Sequence, residues 1–263
     1  MSGQPLPIVC MAFGEPHPMT DTYIERLHGM LKRHCHRPFE LHCYTDSPRP
    51  LPAGVIRHDC SGWTELDRPG MRGTTRKLGL FNPDYLPFDE FLYLDLSLVI
   101  RRDMEEMLSF AFDHPADLVI VPNWHYDGFN SSVMRIRRGG LRKIYDAFVA
   151  GESYKQKVLG DQDFTHGVVT AHGLRDRVGL FPVEQIVSFK KTVRLGRRNA
   201  AQGRARIAGA TIVKFHGEPK MHEAFGFWYR LTRVRLKELV RGHLSPVIPI
   251  DELRRQWTGE TTP

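Results

Sequence analysis

The stretch FLYLDLSLVI, residues 91–100, reads as a buried β-strand that contains an aspartate and a serine two positions apart. Along a strand, residues i and i+2 share a face, so Asp95 and Ser97 would look the same way while the chain stays extended. An unpaired buried carboxylate costs about 3–5 kcal/mol, so this position needs a partner, a metal, or a ligand-filled cleft at the strand's carboxyl end. The plainer alternative is a strand that stops at Leu94, with Asp95 and Ser97 shaping a turn.

Around this stretch the chain alternates strand and helix patterns. PIVCMAF (7–13) reads as a first strand, and Thr22 with Glu25 three residues on forms a capping box that opens a helix. FELHCYT (39–45) is a second strand, which makes a βαβ unit with parallel pairing and a right-handed crossover. Helical patterns follow at 74–82, 103–112 and 141–150, and strand patterns at 117–122, 131–136, 184–189 and 210–215. The order predicts an α/β fold whose sheet is mostly parallel, flanked by helices. There is no repeat, low-complexity tract or convincing linker, so residues 1–263 are expected to form a single domain. The segment FGFWYRLTRVRLKELV, basic and aromatic, is expected as a helix in the C-terminal tail.

Composition sets the class. The chain has 263 residues, 41% hydrophobic and 25% charged, as expected of a globular protein with a substantial core. Its start lacks the pattern of a signal peptide, and no apolar run approaches the ~18–20 residues that span a bilayer. The cysteines Cys10, Cys35, Cys43 and Cys60 show no CxxC spacing, and reduced thiols in a cytoplasm are the default. The formal charge is +7, and it is uneven. Lys190, Lys191, Arg194, Arg197, Arg198, Arg204 and Arg206 lie together with no acid among them; without these seven, basic and acidic residues balance at 30 each. The segment 190–206 is expected as a mobile basic loop that favours anions. It lacks the aromatic interleaving of a nucleic-acid groove, and no nucleic-acid partner is expected.

Several enzyme signatures are missing. The turn after the first strand, FGEPHPMTDT, has one glycine and no dinucleotide fingerprint, and GMRGTTRK (70–77) lacks P-loop spacing. His222-Glu223 has no second zincin histidine, and no GxSxG occurs.

Six segments, in order, resemble the GT-A fold glycosyltransferases, in particular the retaining family 8-like group and its bacterial relatives. PIVCMAF with Tyr23 is similar to the elements that hold the nucleotide base, which makes Phe13 and Tyr23 donor-binding candidates. RKLGLF (76–81) resembles the helix whose basic residue approaches the donor, here Lys77. FLYLDLSLVI resembles the D-x-D strand, FNSSVM (129–134) the F-N-x-G-V-M segment, GDQDF (160–164) the D-Q motif, and KFHGEPK (214–220) the H-F-x-G-x-x-K motif.

The resemblance implies a Rossmann-like nucleotide-sugar-binding fold and transfer of a hexose from a nucleoside-diphosphate sugar, UDP-linked, with retention. It implies that Asp95 meets ribose or metal and that Asn130 hydrogen-bonds the sugar. Asp161 and Gln162 would sit under the anomeric carbon, and Lys77, Gly217 and Lys220 would approach the diphosphate. Asp161 could also cap a helix through 162–165. Fixed positive charge at the diphosphate is the physical need, because the leaving group gains negative charge as the glycosidic bond breaks.

Two linked positions depart from the family pattern. The second D-x-D carboxylate is Ser97 and, aligned on Gly217 and Lys220, the metal-binding histidine is Lys214. A protonated lysine cannot ligate a metal. One reading is that Lys214 replaces the divalent cation (manganese or magnesium); the other shifts the alignment so that Asp95 and His216 hold it. A non-catalytic nucleotide-sugar-binding protein on the same fold is the alternative to the enzyme. The acceptor is open: a surface polysaccharide, or an anionic or lipid-linked molecule reached by at most peripheral membrane contact.

Overall fold

The computed structural model describes residues 4–155, 160–196, 198–217, 219–226 and 250–260. The backbone packs as two compact units, each assembled from three separate stretches: Met1–Asp21, Arg37–Leu96 and Leu108–Phe181 in the first, Thr22–His36, Ser97–Met107 and Pro182–Pro263 in the second. This interleaving explains why no linker is visible in the sequence.

The first unit is built on a seven-stranded sheet. Its strands are β1 (Leu6–Ala12), β2 (Phe39–Thr45), β3 (Val55–Asp59), β4 (Glu90–Leu94), β6 (Leu118–Pro122), β7 (Phe129–Arg137) and β8 (Val178–Leu180), ordered β3-β2-β1-β4-β7-β6-β8. Strands β1, β2, β3 and β4 run parallel, whereas β7 runs antiparallel to both β4 and β6. The expected mixed, mostly parallel α/β sheet is therefore present. Val9, Phe91, Tyr93, Ile120, Met134, Phe148 and Phe164 belong to one buried cluster. Arg135 is fully buried in β7, and its guanidinium is satisfied by the carbonyls of Ala111, His114 and Ala116 at 2.7 Å each.

The second unit holds a three-stranded sheet, β5 (Leu98–Ile100), β10 (Ile212–Lys214) and β9 (Ile186–Ser188), in the order β5-β10-β9. Phe189 and Phe215 stack at 4.2 Å, and Ile24, Leu27, Met30, Ile207 and Leu253 are fully buried.

The helices are α1 (Pro18–His34), α2 (Glu105–Asp113), α3 (Lys143–Val149), α4 (Asp161–Ala171), α5 (Phe189–Gly196), α6 (Ala200–Gly209), α7 (Met221–Phe225) and α8 (Ile250–Thr258). A 3-10 helix spans Gly73–Phe81. Among the described residues no helix is long and apolar enough to cross a membrane. All four cysteines are buried free thiols.

Three expectations change, and a fourth lies largely outside the described residues. Residues 91–100 are not one strand: β4 ends at Leu94, and β5 begins at Leu98 in the other sheet. The last bond of the first ladder is Asp95 N–H to the Ser132 carbonyl at 2.8 Å, and the Ser97 carbonyl then accepts from Phe215 N–H at 3.0 Å. Asp95 and Ser97 thus face different neighbours instead of sharing a strand face. Helix α1 opens at Pro18, before the Thr22 capping box, and proline suits a first helical position because its fixed φ is already helical. The segment 190–206 is not one loop. It is largely helical, with α6 capped by Asn199, whose side chain accepts from Gln202 N–H. The tail segment from Phe225 to Val240 lies, beyond Gly226, outside the described residues.

Candidate functional site

In the first unit the sheet topology brings three chain segments to one edge. Strands β1 and β4 are parallel, so Phe13 and Asp95 follow their carboxyl ends on the same side. Strand β7 runs the other way, with Leu94 opposite Val133, so its amino-terminal residues Asn130, Ser131 and Ser132 lie at that same edge. Ligands of α/β sheets bind outside the carboxyl ends of parallel strands.

Asp95 Oδ1 accepts from Lys77 Nζ at 2.6 Å and from the Tyr93 hydroxyl at 2.8 Å. Lys77 Nζ is also 4.0 Å from Asp161 Oδ2, an oxygen that accepts from the Ser131 hydroxyl. Burial alone would lower the pKa of Lys77, but the charges of Asp95 and Asp161 outweigh it, so the ammonium titrates above its ordinary range. Tyr93 is held well above the usual phenol range, first by desolvation and then by Asp95. The hydroxyl therefore stays a donor. The result is a lysine bracketed by two carboxylates, a local formal charge of one negative.

Asp161 is the first residue of α4, and Gly160 occupies the N-cap without a side-chain bond. The expectation that Asp161 caps the helix is therefore corrected; its carboxylate turns to Ser131 and Lys77. A carboxylate in a first turn still gains from the helix dipole. Gln162 follows, with its Oε1 accepting from Asn130 Nδ2 at 3.2 Å. Asp163 accepts from the Tyr126 hydroxyl at 2.6 Å. Phe13 has the Arg76 guanidinium 5.6 Å from its ring centroid, and Arg76 is paired with Asp46 and Asp67.

The second unit carries the remaining candidates. Lys214, buried at the end of β10, donates from Nζ to Ser97 Oγ at 2.6 Å. The two departures from the D-x-D pattern therefore touch. His216 Nε2 lies 2.6 Å from Ser188 Oγ, the hydroxyl that also accepts from Lys191 N–H at the start of α5. Gly217 has φ +67°, a left-handed conformation that glycine adopts without strain, and Lys190 Nζ would lie 3.6 Å from any Cβ placed there. Lys220 is exposed, and its backbone N–H is bonded to Glu223 at 2.8 Å. Tyr23, expected to hold the nucleotide base, has its hydroxyl 2.8 Å from His222 Nδ1 and its ring edge-on to Trp257 at 5.5 Å. Its place is in the packing of α1 with α7 and α8.

The divalent cation of the shifted alignment would take two protein ligands, Asp95 and His216, together with waters. Among the described residues there is no group of three or more His, Cys, Asp or Glu side chains able to hold a metal. Asp95 is engaged by an ammonium, and the position two residues on is a serine bound to a second ammonium. Tyr93, Ser131 and Tyr126 are not among the candidates named from the sequence. Tyr93 stands two positions before Asp95, and Ser131 lies within FNSSVM, whereas Tyr126 carries no signal.

No protein-family model matches the chain, and no curated protein is a recognisable sequence relative. Solved structures do match. The galactosyltransferase LgtC, solved in complex with donor and acceptor sugar analogs, is similar over 98% of this chain and 97% of its own, with a TM-score of 0.59 and 13% identity. Mouse xyloside xylosyltransferase 1 is similar over 82% of this chain and 98% of its own, with a TM-score of 0.56 and 15% identity. The glycosyltransferase GlyE of Streptococcus pneumoniae TIGR4 matches 97% of this chain and 64% of its own, with a TM-score of 0.56 and 15% identity. The fold is that of the GT-A glycosyltransferases.

Proposed function

We propose that the chain is a glycosyltransferase that transfers a hexose from a nucleoside-diphosphate sugar, UDP-linked, with retention at the anomeric carbon. The observation that carries this reading is the convergence of Asp95, Lys77, Asp161, Asn130 and Gln162 at the carboxyl edge of one sheet. These residues were singled out from four separate sequence segments. The solved structure of LgtC with donor and acceptor sugar analogs supports a nucleotide-sugar donor and a sugar acceptor.

In this reading Asp161, held by Ser131 and Lys77, presents its carboxylate to sugar hydroxyls, and Gln162 and Asn130 present their amides to the reacting sugar. Asp95 takes the ribose. Lys77, Gly217 and Lys220 keep the diphosphate-binding roles that the resemblance gives them, and Lys214 takes the place of the divalent cation. Lysine ammonium groups then supply the fixed positive charge that a departing nucleoside diphosphate needs. The contact between Lys214 and Ser97 supports a metal-independent reaction, since each departure from the D-x-D pattern answers the other. Residues 1–263 act as one functional domain, and the basic run of α5 and α6 favours an anionic or lipid-linked acceptor at the inner face of a membrane, as in bacterial polysaccharide synthesis.

Incubation with a panel of sugar nucleotides, followed by assay for slow donor hydrolysis, tests the proposal. Turnover that Asp161→Asn abolishes is expected. Binding of a sugar nucleotide with no turnover of any would favour the non-catalytic alternative, to which the incomplete D-x-D pattern points.

A further inference from the structure

An amide side chain has two ends of the same shape and opposite chemistry: its carbonyl accepts and its NH2 donates. Asn130 and Gln162 therefore recognise a sugar correctly only if each is held one way round. The structure contains a chain of hydrogen bonds that fixes both. Asp163 is acceptor-only, and the Tyr126 hydroxyl donates its single proton to Asp163 Oδ1 at 2.6 Å. The Tyr126 oxygen must then accept, and it does so from Gln162 Nε2 at 3.4 Å. Gln162 Oε1 in turn accepts from Asn130 Nδ2 at 3.2 Å. Asn130 Oδ1 accepts from the Ser132 backbone N–H at 3.2 Å and from the Ser132 hydroxyl.

Both ends of this chain are unambiguous, because a carboxylate cannot donate and a backbone N–H cannot accept. No member can reverse without breaking an end.

We propose that Tyr126, anchored by Asp163, is a positioning residue that sets the polarity of the two sugar-side amides. The inference deepens the sugar-transfer reading and rests on it for its catalytic consequence. Tyr126 lies in the loop joining β6 to β7, outside every segment that carried the family resemblance. Desolvation, and then the hydrogen bond to Asp163, push its pKa up to about 12, so the hydroxyl remains protonated across the neutral range. One N–H of each amide and one lone pair of Gln162 Oε1 take no part in the chain, and these are the groups it aims.

The test combines spectroscopy with kinetics on the full chain. The side-chain amide resonances of Gln162 and Asn130, assigned by their loss in Gln162→Glu and Asn130→Asp, are followed in 15N-labelled protein. Tyr126→Phe removes one hydroxyl and keeps the ring, and Asp163→Ala keeps the hydroxyl and removes its anchor. Both variants are expected to shift the Gln162 and Asn130 amide signals and to speed their exchange with water. Loss of one aligned hydrogen bond is expected to lower kcat about tenfold while donor KM stays within about twofold. Unmoved amide signals in both variants would overturn the inference, as would unchanged kcat in an active enzyme. A wild-type protein that turns over no sugar nucleotide would refute the sugar-transfer reading instead, and the amide signals would still decide the polarity of the chain.

Discussion

Lys77 Nζ and Asp95 Oδ1 are 2.6 Å apart, with 11% and 18% of their side chains exposed, and the same lysine reaches within 4.0 Å of Asp161. A pair so sheltered is costly to break on one side. Lys77→Met would leave two carboxylates without their cation. It is expected to destabilise the protein by about 3–5 kcal/mol, read from urea unfolding midpoints.

The pH dependence of the same contact has a definite sign. Lys77 titrates higher in the folded than in the unfolded state. Its contribution is therefore fully present below the unfolded value, 10.5, and lost as pH rises through the folded one. Stability should be insensitive to Lys77 between pH 6 and 9. Above pH 10.5 the wild type should lose melting temperature faster than Lys77→Met. Parallel melting curves above that pH would refute the assignment.

An acid-side effect comes from two histidines of the first unit. His42 Nδ1 lies 3.0 Å from His58 Nε2, with Phe88 against one ring and Tyr44 stacked on the other. Desolvation lowers the pKa of both, so below the unfolded value of 6.5 the unfolded chain binds more protons. Stability should be complete above pH 6.5 and fall as pH drops toward the folded values. His58→Phe, which keeps an aromatic ring against Tyr44, should flatten this slope in thermal melts between pH 5 and 7.5.

Much of this architecture was legible, for reasons that differ by element. Strands β1, β4 and β6 carry apolar runs, and such runs mark buried strands. Strand β3, VIRHD, is half polar because it lies at the sheet's edge, and β8 has three residues, too few for any pattern. Helix α6 buries Gly203 and Ile207, small and sparse contacts that look like a loop, although the Asn199–Gln202 cap was present in the sequence. Of the candidate site residues, Asp95, Asn130, Asp161 and Gln162 stand in the segments that carry the resemblance. Tyr126 belongs to none, and its partner Asp163 is 37 residues away, a pairing only the fold creates.

Close backbone approach gives a further test. Gly79, in the 3-10 helix before Asn82, faces the indole of Trp63, and an added Cβ would meet two of its ring carbons at 2.6 Å. Trp63 cannot yield easily, since it is stacked on Tyr85 at 4.5 Å. Gly79→Ala is expected to cost about 1–3 kcal/mol through overpacking, measured by urea unfolding.

Serine at position 97 offers a designed contrast. With Lys214 Nζ 2.6 Å from its hydroxyl, Ser97→Asp should convert a hydrogen bond into an ion pair. The variant is expected to melt at or above the wild-type temperature and to bind UDP more weakly by calorimetry, because the ammonium is then neutralised. Unchanged UDP affinity would remove Lys214 from the donor site.

The decisive measurement is donor turnover by the wild-type protein in excess chelator and then in excess manganese. Equal rates in both, abolished by Asp161→Asn, are what a lysine-based sugar transfer predicts. A rate that is absent in chelator and restored by manganese would contradict it.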